Sequence, residues 1–324
     1  MVEPDTADRW FRVAVLIPCY NEEHAVAKVV HDFQEALPDA AVYVYDNASE
    51  DRTSEVARAA GAIVRSELQR GKGNVVRRMF ADVDADIYVL VDGDDTYNAF
   101  KAPQLIECLL KNSLDLVNAS RSHKAKEAYR PGHQFGNRLL SGAVGWLFGQ
   151  RLDDMLSGYK VFSRRFVKSF PALAVGFEIE TELTVHALEQ RMPLTEVVTD
   201  YKERPVGSTS KLNTVRDGLR IGWTVMKLLR DERPLPFFAV IFAVLSCTSV
   251  GLAVPVFIDF IETGLVPRFP TAILSGMIML LGFFSLACGF ILDTVTRGRR
   301  ELKRIHYLSL PDPVSASIRT RPER

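Results

Sequence analysis

Asp92-Gly93-Asp94 closes the apolar run Ile87–Val91. A carboxylate pair at such a place can hold a hard divalent cation, Mg²⁺ or Mn²⁺, which binds through one or two carboxylates and keeps its other positions for water and a diphosphate. An Asp-rich turn alone is ordinary loop chemistry. Its weight rises because Asp46 ends another β-rich run, and Gly71-Lys72-Gly73 precedes a helical pattern lying between the two in sequence. The glycines let backbone approach a ligand, and Lys72 offers charge to a phosphate. The spacing is not the long glycine loop of a nucleoside triphosphatase, and no GxGxxG dinucleotide fingerprint is present. Farther along stand the basic residues Arg121, Arg138, Arg204 and Lys211, of a type that binds phosphate through charge-assisted hydrogen bonds. Asp153 or Asp154 could orient an acceptor there, although adjacent acids in a polar loop also suit a surface. His24, His133 and His186 are unclustered and read as structural or exposed.

These residues need a scaffold that gathers them. Arg12–Ile17, Ala41–Asp46, Ala62–Ser66, Ile87–Asp92 and Leu114–Ser120 read as buried strands, and Ala25–Leu37, Thr53–Ala60, Gly73–Asp82 and Phe100–Leu110 as the helices between them. This alternation predicts an α/β sandwich with a mostly parallel sheet. Ligands of such sheets bind beyond the carboxyl ends of the strands. The clusters Pro18–Glu23, Asp46–Ser49, Asp92–Asp95 and Ser120-Arg121 all fall there. Beyond Ser122 the pattern loosens into a helix at Gly132–Phe148, an irregular stretch through Asp153–Lys160, a helix near Ile179–Gln190 and a short strand near Leu194–Thr199.

The ordered motifs Ile17-Pro18-Cys19-Tyr20-Asn21-Glu22-Glu23, Asp46-Asn47-Ala48-Ser49-Glu50-Asp51-Arg52-Thr53, Gly71-Lys72-Gly73 and Asp92-Gly93-Asp94 resemble those of family-two inverting glycosyltransferases. Within that family the chain is similar to the dolichyl-phosphate mannose synthase and bactoprenol glucosyltransferase branch. The resemblance implies a GT-A, Rossmann-like sheet sandwiched by helices and covers roughly Val13 to Arg230. It places Pro18, Tyr20, Asn21 and Glu22 around the nucleotide base and ribose, with Asp46 and Asn47 beside them and Asp46 binding the base. It gives Asp92 and Asp94 to the metal and diphosphate, with Lys72 nearby. Arg121, Arg138, Arg204, Ser208 and Lys211 resemble residues that hold the lipid phosphate or close over the donor. Asp94, Arg204 and Asp154 are the candidate catalytic set. Lys160 stands where relatives often carry Arg, and Thr96 where some have Gln. The implied partners are a nucleotide-sugar donor, UDP-linked before GDP-linked, and a polyprenyl phosphate acceptor.

Composition agrees with a membrane enzyme. The chain has 324 residues, 47% hydrophobic and 25% charged, which excludes disorder and a disulfide miniprotein. Forty basic against forty acidic residues exclude a uniformly basic nucleic-acid binder. Cys19, Cys108, Cys247 and Cys288 are scattered, without zinc or disulfide spacing. Phe237–Phe257 and Ala272–Leu292 are each twenty-one residues without a formal charge, long enough to cross a bilayer core. Their flanks hold four and five basic residues, and the connector holds only Arg268. That asymmetry predicts a multi-pass protein of the cytoplasmic membrane with both termini and the catalytic domain in the cytoplasm. Met1–Arg12 leads into a short apolar run and does not read as a signal peptide.

The expected organisation is a catalytic domain at 1–211, an amphipathic interfacial helix at 212–235, centred on Val215–Arg230, two spans within 236–293, and a basic tail at 294–324. A homo-oligomer through the spans is compatible with this plan. Two other functions compete. A processive polysaccharide synthase would carry a QxxRW segment, and the chain's single Arg-Trp pair is Arg9-Trp10, ahead of the first strand. A non-catalytic nucleotide-sugar sensor or scaffold would have less need of Asp92, Asp94, Lys72 and Arg204.

Overall fold

The computed structural model describes residues 11–121, 141–142, 144–149, 152–171, 178–202, 223 and 226–312. Arg138, His133, Arg204, Ser208, Lys211 and most of Val215–Arg230 lie outside them. The chain divides into two units. One comprises Met1–Leu219 with Lys303–Arg324, and the other Arg220–Leu302.

In the first unit, β1 (Val13–Cys19), α1 (Val26–Ala36), β2 (Ala41–Asp46), α2 (Thr53–Ala59), β3 (Ile63–Ser66), α3 (Lys72–Asp82) and β4 (Ile87–Leu90) alternate. A 3₁₀ turn at Ala99–Lys101, α4 (Ala102–Lys111), β5 (Leu116–Arg121), β6 (Lys160–Ser163), α5 (Arg164–Ser169), α6 (Ile179–Glu189) and β7 (Leu194–Thr199) follow. The seven strands lie in the order β3-β2-β1-β4-β6-β5-β7. All neighbours are parallel except β6, which runs antiparallel to both β4 and β5. The predicted strands and helices through Leu110 are present within a few residues, and Leu194–Thr199 matches its strand. The differences are β6, which begins where the stretch read as irregular ends, and α5, in residues to which the sequence pattern assigned no element. Lys160-Val161-Phe162-Ser163 is short and opens on a lysine, so it carries no alternation signal.

Strands β1 and β4 read as unbroken apolar runs because both faces are covered. Val15, Ile17 and Cys19 of β1 enter one core with α1 and α4, whereas Ala14 and Leu16 enter the other with α3, α5 and α6. Helix α1 buries Val26, Val29, Val30 and Phe33, the stripe of a helix laid on a sheet. Since β1, β2, β4 and β5 all run the same way, their carboxyl ends share one edge.

The second unit holds most of two long helices, α7 (Pro234–Thr263) and α8 (Phe269–Leu308). Gly264, left-handed at φ 67°, ends α7 and begins the turn between them. Both are long and apolar enough to cross a membrane, and only 6% and 17% of their most apolar windows are buried, unlike a soluble core helix. They meet closely: Ser249 Oγ donates to the Ser275 carbonyl at 2.7 Å, and a Cβ on Gly289 would lie 2.9 Å from Phe238 Cβ.

Helix α8 continues to Leu308, through residues read from sequence as tail, and its end belongs to the first unit. Tyr307 is buried there, donating to Asp115 Oδ2 at 2.6 Å, with the guanidinium groups of Arg165 and Arg304 at 4.7 and 4.9 Å from its ring centre. Lys303 pairs with Glu189 at 2.7 Å, and Arg304 donates to the Gln190 carbonyl at 2.6 Å.

Candidate active site

The loops after β1 and β2 are joined by their own polar groups. The Asn21 N–H donates to Ser49 Oγ, the Glu50 N–H to Asn21 Oδ1, and the Glu22 N–H to Thr53 Oγ1, all at 2.8–2.9 Å. Asn21 adopts φ 54°, a region Asn tolerates better than most residues. Asp46 is buried at the end of β2, accepting from the Ser49 N–H and from Ser54 Oγ. Asn47 reaches sideways: its amide nitrogen donates to the Glu67 and Gln69 carbonyls, and its oxygen accepts from the Gly71 N–H at 2.7 Å. It therefore shapes the loop before α3. In that loop Arg70 lies 5.2 Å from the Tyr20 ring centre and pairs with Glu50.

Gly71 caps α3 at φ 130°, a backbone state closed to other residues, so the helix starts at Lys72, one residue earlier than predicted. Lys72 does not project into solvent. Its ammonium lies 2.5 Å from Asp92 Oδ1 and 2.5 Å from Glu180 Oε1. Burial works against that charge, but the two carboxylates outweigh it and hold the lysine above its ordinary pKa.

Asp92 and Asp94 follow β4, and the glycine between them is a packing requirement, since a Cβ on Gly93 would lie 2.5 Å from Cys19 Sγ. The other oxygen of Asp92, Oδ2, faces Gly158, where a Cβ would sit 2.1 Å from it. Asp94 is buried and accepts from Thr96 Oγ1 at 2.6 Å. No group of three or more His, Cys, Asp or Glu side chains that could hold a metal occurs among the described residues. Two hard carboxylates, one of them 28% exposed, nevertheless fit Mg²⁺ or Mn²⁺, which takes its remaining oxygens from water and phosphate.

Arg121 ends β5. Its guanidinium meets Asp154 in a two-point pair, Nε to Oδ2 at 2.6 Å and Nη2 to Oδ1 at 2.7 Å, and stacks 5.5 Å from the Tyr201 ring centre. Asp154 is fully buried. Burial raises its carboxyl, but Arg121 more than offsets this and holds it below the usual carboxylate range. Glu196 accepts from the Asp153 and Asp154 N–H groups and from Asn118. Lys160, the first residue of β6, donates to Asn118 Oδ1 and is pulled down to about 8 by burial. Tyr97 accepts from the Gly158 N–H and packs edge-on against Tyr201.

The structure thus gathers Tyr20, Asn21, Glu22, Asp46, Asn47, Lys72, Asp92, Asp94, Arg121 and Asp154 at one sheet edge. His186 is buried among Phe166 and Phe170 and pushed down to about 3 by burial, and His24 is exposed. Glu180, Asn118, Glu196, Tyr97 and Tyr201 were not singled out from sequence. Glu180 carries no local signal in the sequence, since the burial of nearly all of Ile179–Leu188 shows only in the fold.

A mostly parallel sheet with an Asp-Gly-Asp turn at the end of its central strands and one inserted antiparallel strand is the architecture of a GT-A glycosyltransferase. The model of glycosyl transferase family 2 matches residues 14–168. Glycosyltransferase AglJ of Haloferax volcanii is 31% identical over 91% of this chain and 98% of that protein. A dolichyl-phosphate hexose transferase of the same organism is 28% identical over 68% of this chain and 95% of its own. Glucosyl-3-phosphoglycerate synthase of Mycobacterium tuberculosis, solved with Mn²⁺, UDP and glucosyl-3-phosphoglycerate, superposes with a TM-score of 0.53 at 23% identity, covering 68% of this chain and 79% of that one. The chain belongs to glycosyl transferase family 2.

Proposed function

We propose that this protein transfers a hexose from a nucleoside-diphosphate sugar, UDP-linked, to a polyprenyl phosphate, inverting the anomeric centre, while α7 and α8 anchor it in the cytoplasmic membrane. One observation carries the reading: two carboxylates at the end of β4 and a buried-partnered arginine at the end of β5 share a single sheet edge. They offer binding of opposite sign, as a metal-bound diphosphate and an acceptor phosphate require. The relatives' names, dolichyl-phosphate hexose transferase among them, supply the acceptor class.

A polyprenyl phosphate is already an anionic nucleophile, so the protein needs no strong base. It must bring two anions together and neutralise the leaving group. The loops of Pro18, Tyr20, Asn21, Glu22 and Asp46 hold the base and ribose. Asp92 and Asp94 hold the divalent cation, which when bound neutralises charge on the departing diphosphate. Arg121 draws the acceptor phosphate to the edge, and Asp154 acts as its positioning residue by fixing the guanidinium plane. Arg138, Arg204, Ser208 and Lys211 complete the phosphate contacts. A phosphate oxygen then bonds to the anomeric carbon as the carbon–oxygen bond to the diphosphate breaks, and the nucleoside diphosphate leaves with the electron pair.

The test is transfer of radiolabelled sugar from UDP- and GDP-sugars into an organic-extractable, mild-acid-labile lipid by the full chain in membranes. Label in a polymer would favour a processive synthase. Nucleotide binding without turnover would favour a sensor or scaffold.

A further inference from the structure

Lys72 sits between an outer and an inner carboxylate. Asp92 is 28% exposed, whereas the side chains of Lys72 and Glu180 are 10% and 9% exposed. Both carboxylates hold the same ammonium at 2.5 Å. In this arrangement Lys72 supplies positive charge to Asp92. A divalent cation on Asp92 would place a double positive charge within a few ångströms of the Lys72 ammonium, and the repulsion scales with the product of the charges.

Glu180 offers the lysine another partner. Its second oxygen, Oε2, is buried without a hydrogen-bond partner among the described residues, an acceptor held in reserve beside a donor that has three N–H bonds. With Asp92, Asp94, Glu180 and Lys72 all ionised, the cluster carries a net charge that one divalent cation neutralises. Retreat along its own side chain would let Lys72 remain ion-paired after giving up Asp92. Gly158 adds a constraint, because backbone packed against Asp92 Oδ2 leaves that carboxylate little room to swing away.

We infer that Glu180 is the alternate counter-ion of Lys72: metal arrival at Asp92 moves the ammonium wholly onto Glu180, which makes Glu180 a positioning residue for metal loading. This rests on the assignment of Asp92 and Asp94 to the metal under the proposed function.

The experiment is Mn²⁺ binding by the full chain in detergent with saturating UDP, read from the loss of the free-Mn²⁺ electron paramagnetic resonance signal. Glu180→Gln should weaken Mn²⁺ binding about tenfold or more, the range typical of an outer-shell partner, because the ammonium then stays on Asp92. Adding Lys72→Met to Glu180→Gln should restore affinity to within a few-fold of wild type. Wild-type affinity in Glu180→Gln, or a double variant as weak as the single, overturns the inference. Asp92→Asn separates the two layers: if wild type binds no Mn²⁺, or Asp92→Asn binds it equally, the metal assignment falls and the inference with it. Should Glu180→Gln fail to fold by circular dichroism, a crystal structure of the wild type with Mn²⁺ and UDP decides. Lys72 Nζ bonded to Glu180 and parted from Asp92 supports the exchange; Lys72 still on Asp92 overturns it.

Discussion

The two halves of the sheet edge are held by different physics. After β1 and β2, neutral and singly charged side chains cap backbone groups across adjoining loops, as Asn21, Asn47 and Thr53 do. After β5 and before β6 the same work falls to buried ions, Arg121 on Asp154 and Lys160 beside Asn118, with Glu196 behind them. Hydrogen-bonded loops can yield in small steps, since each bond contributes about 1 kcal/mol net. A buried ion pair is closer to all-or-none, because losing one partner strands the other charge. Under the proposed function, the first half is the donor pocket that accommodates its ligand, and the second a rigid phosphate anchor.

The largest expected effect lies between the halves. Asp94→Asn should abolish sugar transfer in the radiolabel assay while leaving the circular dichroism spectrum unchanged, and transfer at wild-type rate in divalent-free buffer would contradict the metal role.

Next is Asp154→Asn, which keeps shape but removes the buried charge paired with Arg121. We expect a loss of about 3–5 kcal/mol in the stability of the catalytic unit, measured by denaturant unfolding in detergent.

On the hydrogen-bonded side, Asn47→Ala should cost about 2 kcal/mol by unpairing the Gly71 N–H and two carbonyls. It should also raise the KM for the sugar nucleotide more than that for the lipid. A loss equal to that of Asp154→Asn would erase the contrast between the halves.

The smallest effect is a pH dependence. Lys160 has a folded pKa of about 8 against 10.5 for a free lysine, so keeping it charged in the fold is unfavourable at neutral pH. Above pH 8 the folded state sheds the proton while the unfolded chain keeps it until about 10.5, so folding stability rises across that window. Relative to Lys160→Met, the wild type should therefore gain on the order of 2 kcal/mol between pH 7.5 and 9.5. A flat difference would place the Lys160 charge outside the buried network.

The same division explains what the sequence conveys. Strands β1, β2 and β4 are apolar runs followed by turn-forming residues, and Asp46, Asp92 and Asp94 stand at strand ends, so local pattern locates both element and chemistry. The ion network depends on partners far apart in the chain. Arg121 and Asp154 are separated by 33 residues, and Lys72 and Glu180 by 108. No periodicity links such positions, and β6, which brings Lys160 to its partners, is only four residues long. Asp154, read from sequence as a candidate catalytic residue that could orient an acceptor, is fully buried against Arg121, a placement that only the folded sheet discloses.

Tyr307 and Lys303 complete contacts of the catalytic unit from the last turns of α8, past the apolar stretches of both long helices. A ribosome makes the apolar stretches of α7 and α8 before it makes Tyr307, so the contact of the Tyr307 hydroxyl with Asp115 cannot form while residues before α7 are the only part emerged. Final consolidation of that unit is therefore a late event in biosynthesis, timed after the hairpin. A version of the protein cut before residue 234 would leave Asp115 with Arg165 and Ser163 but without its tyrosine, a lasting form of that earlier state.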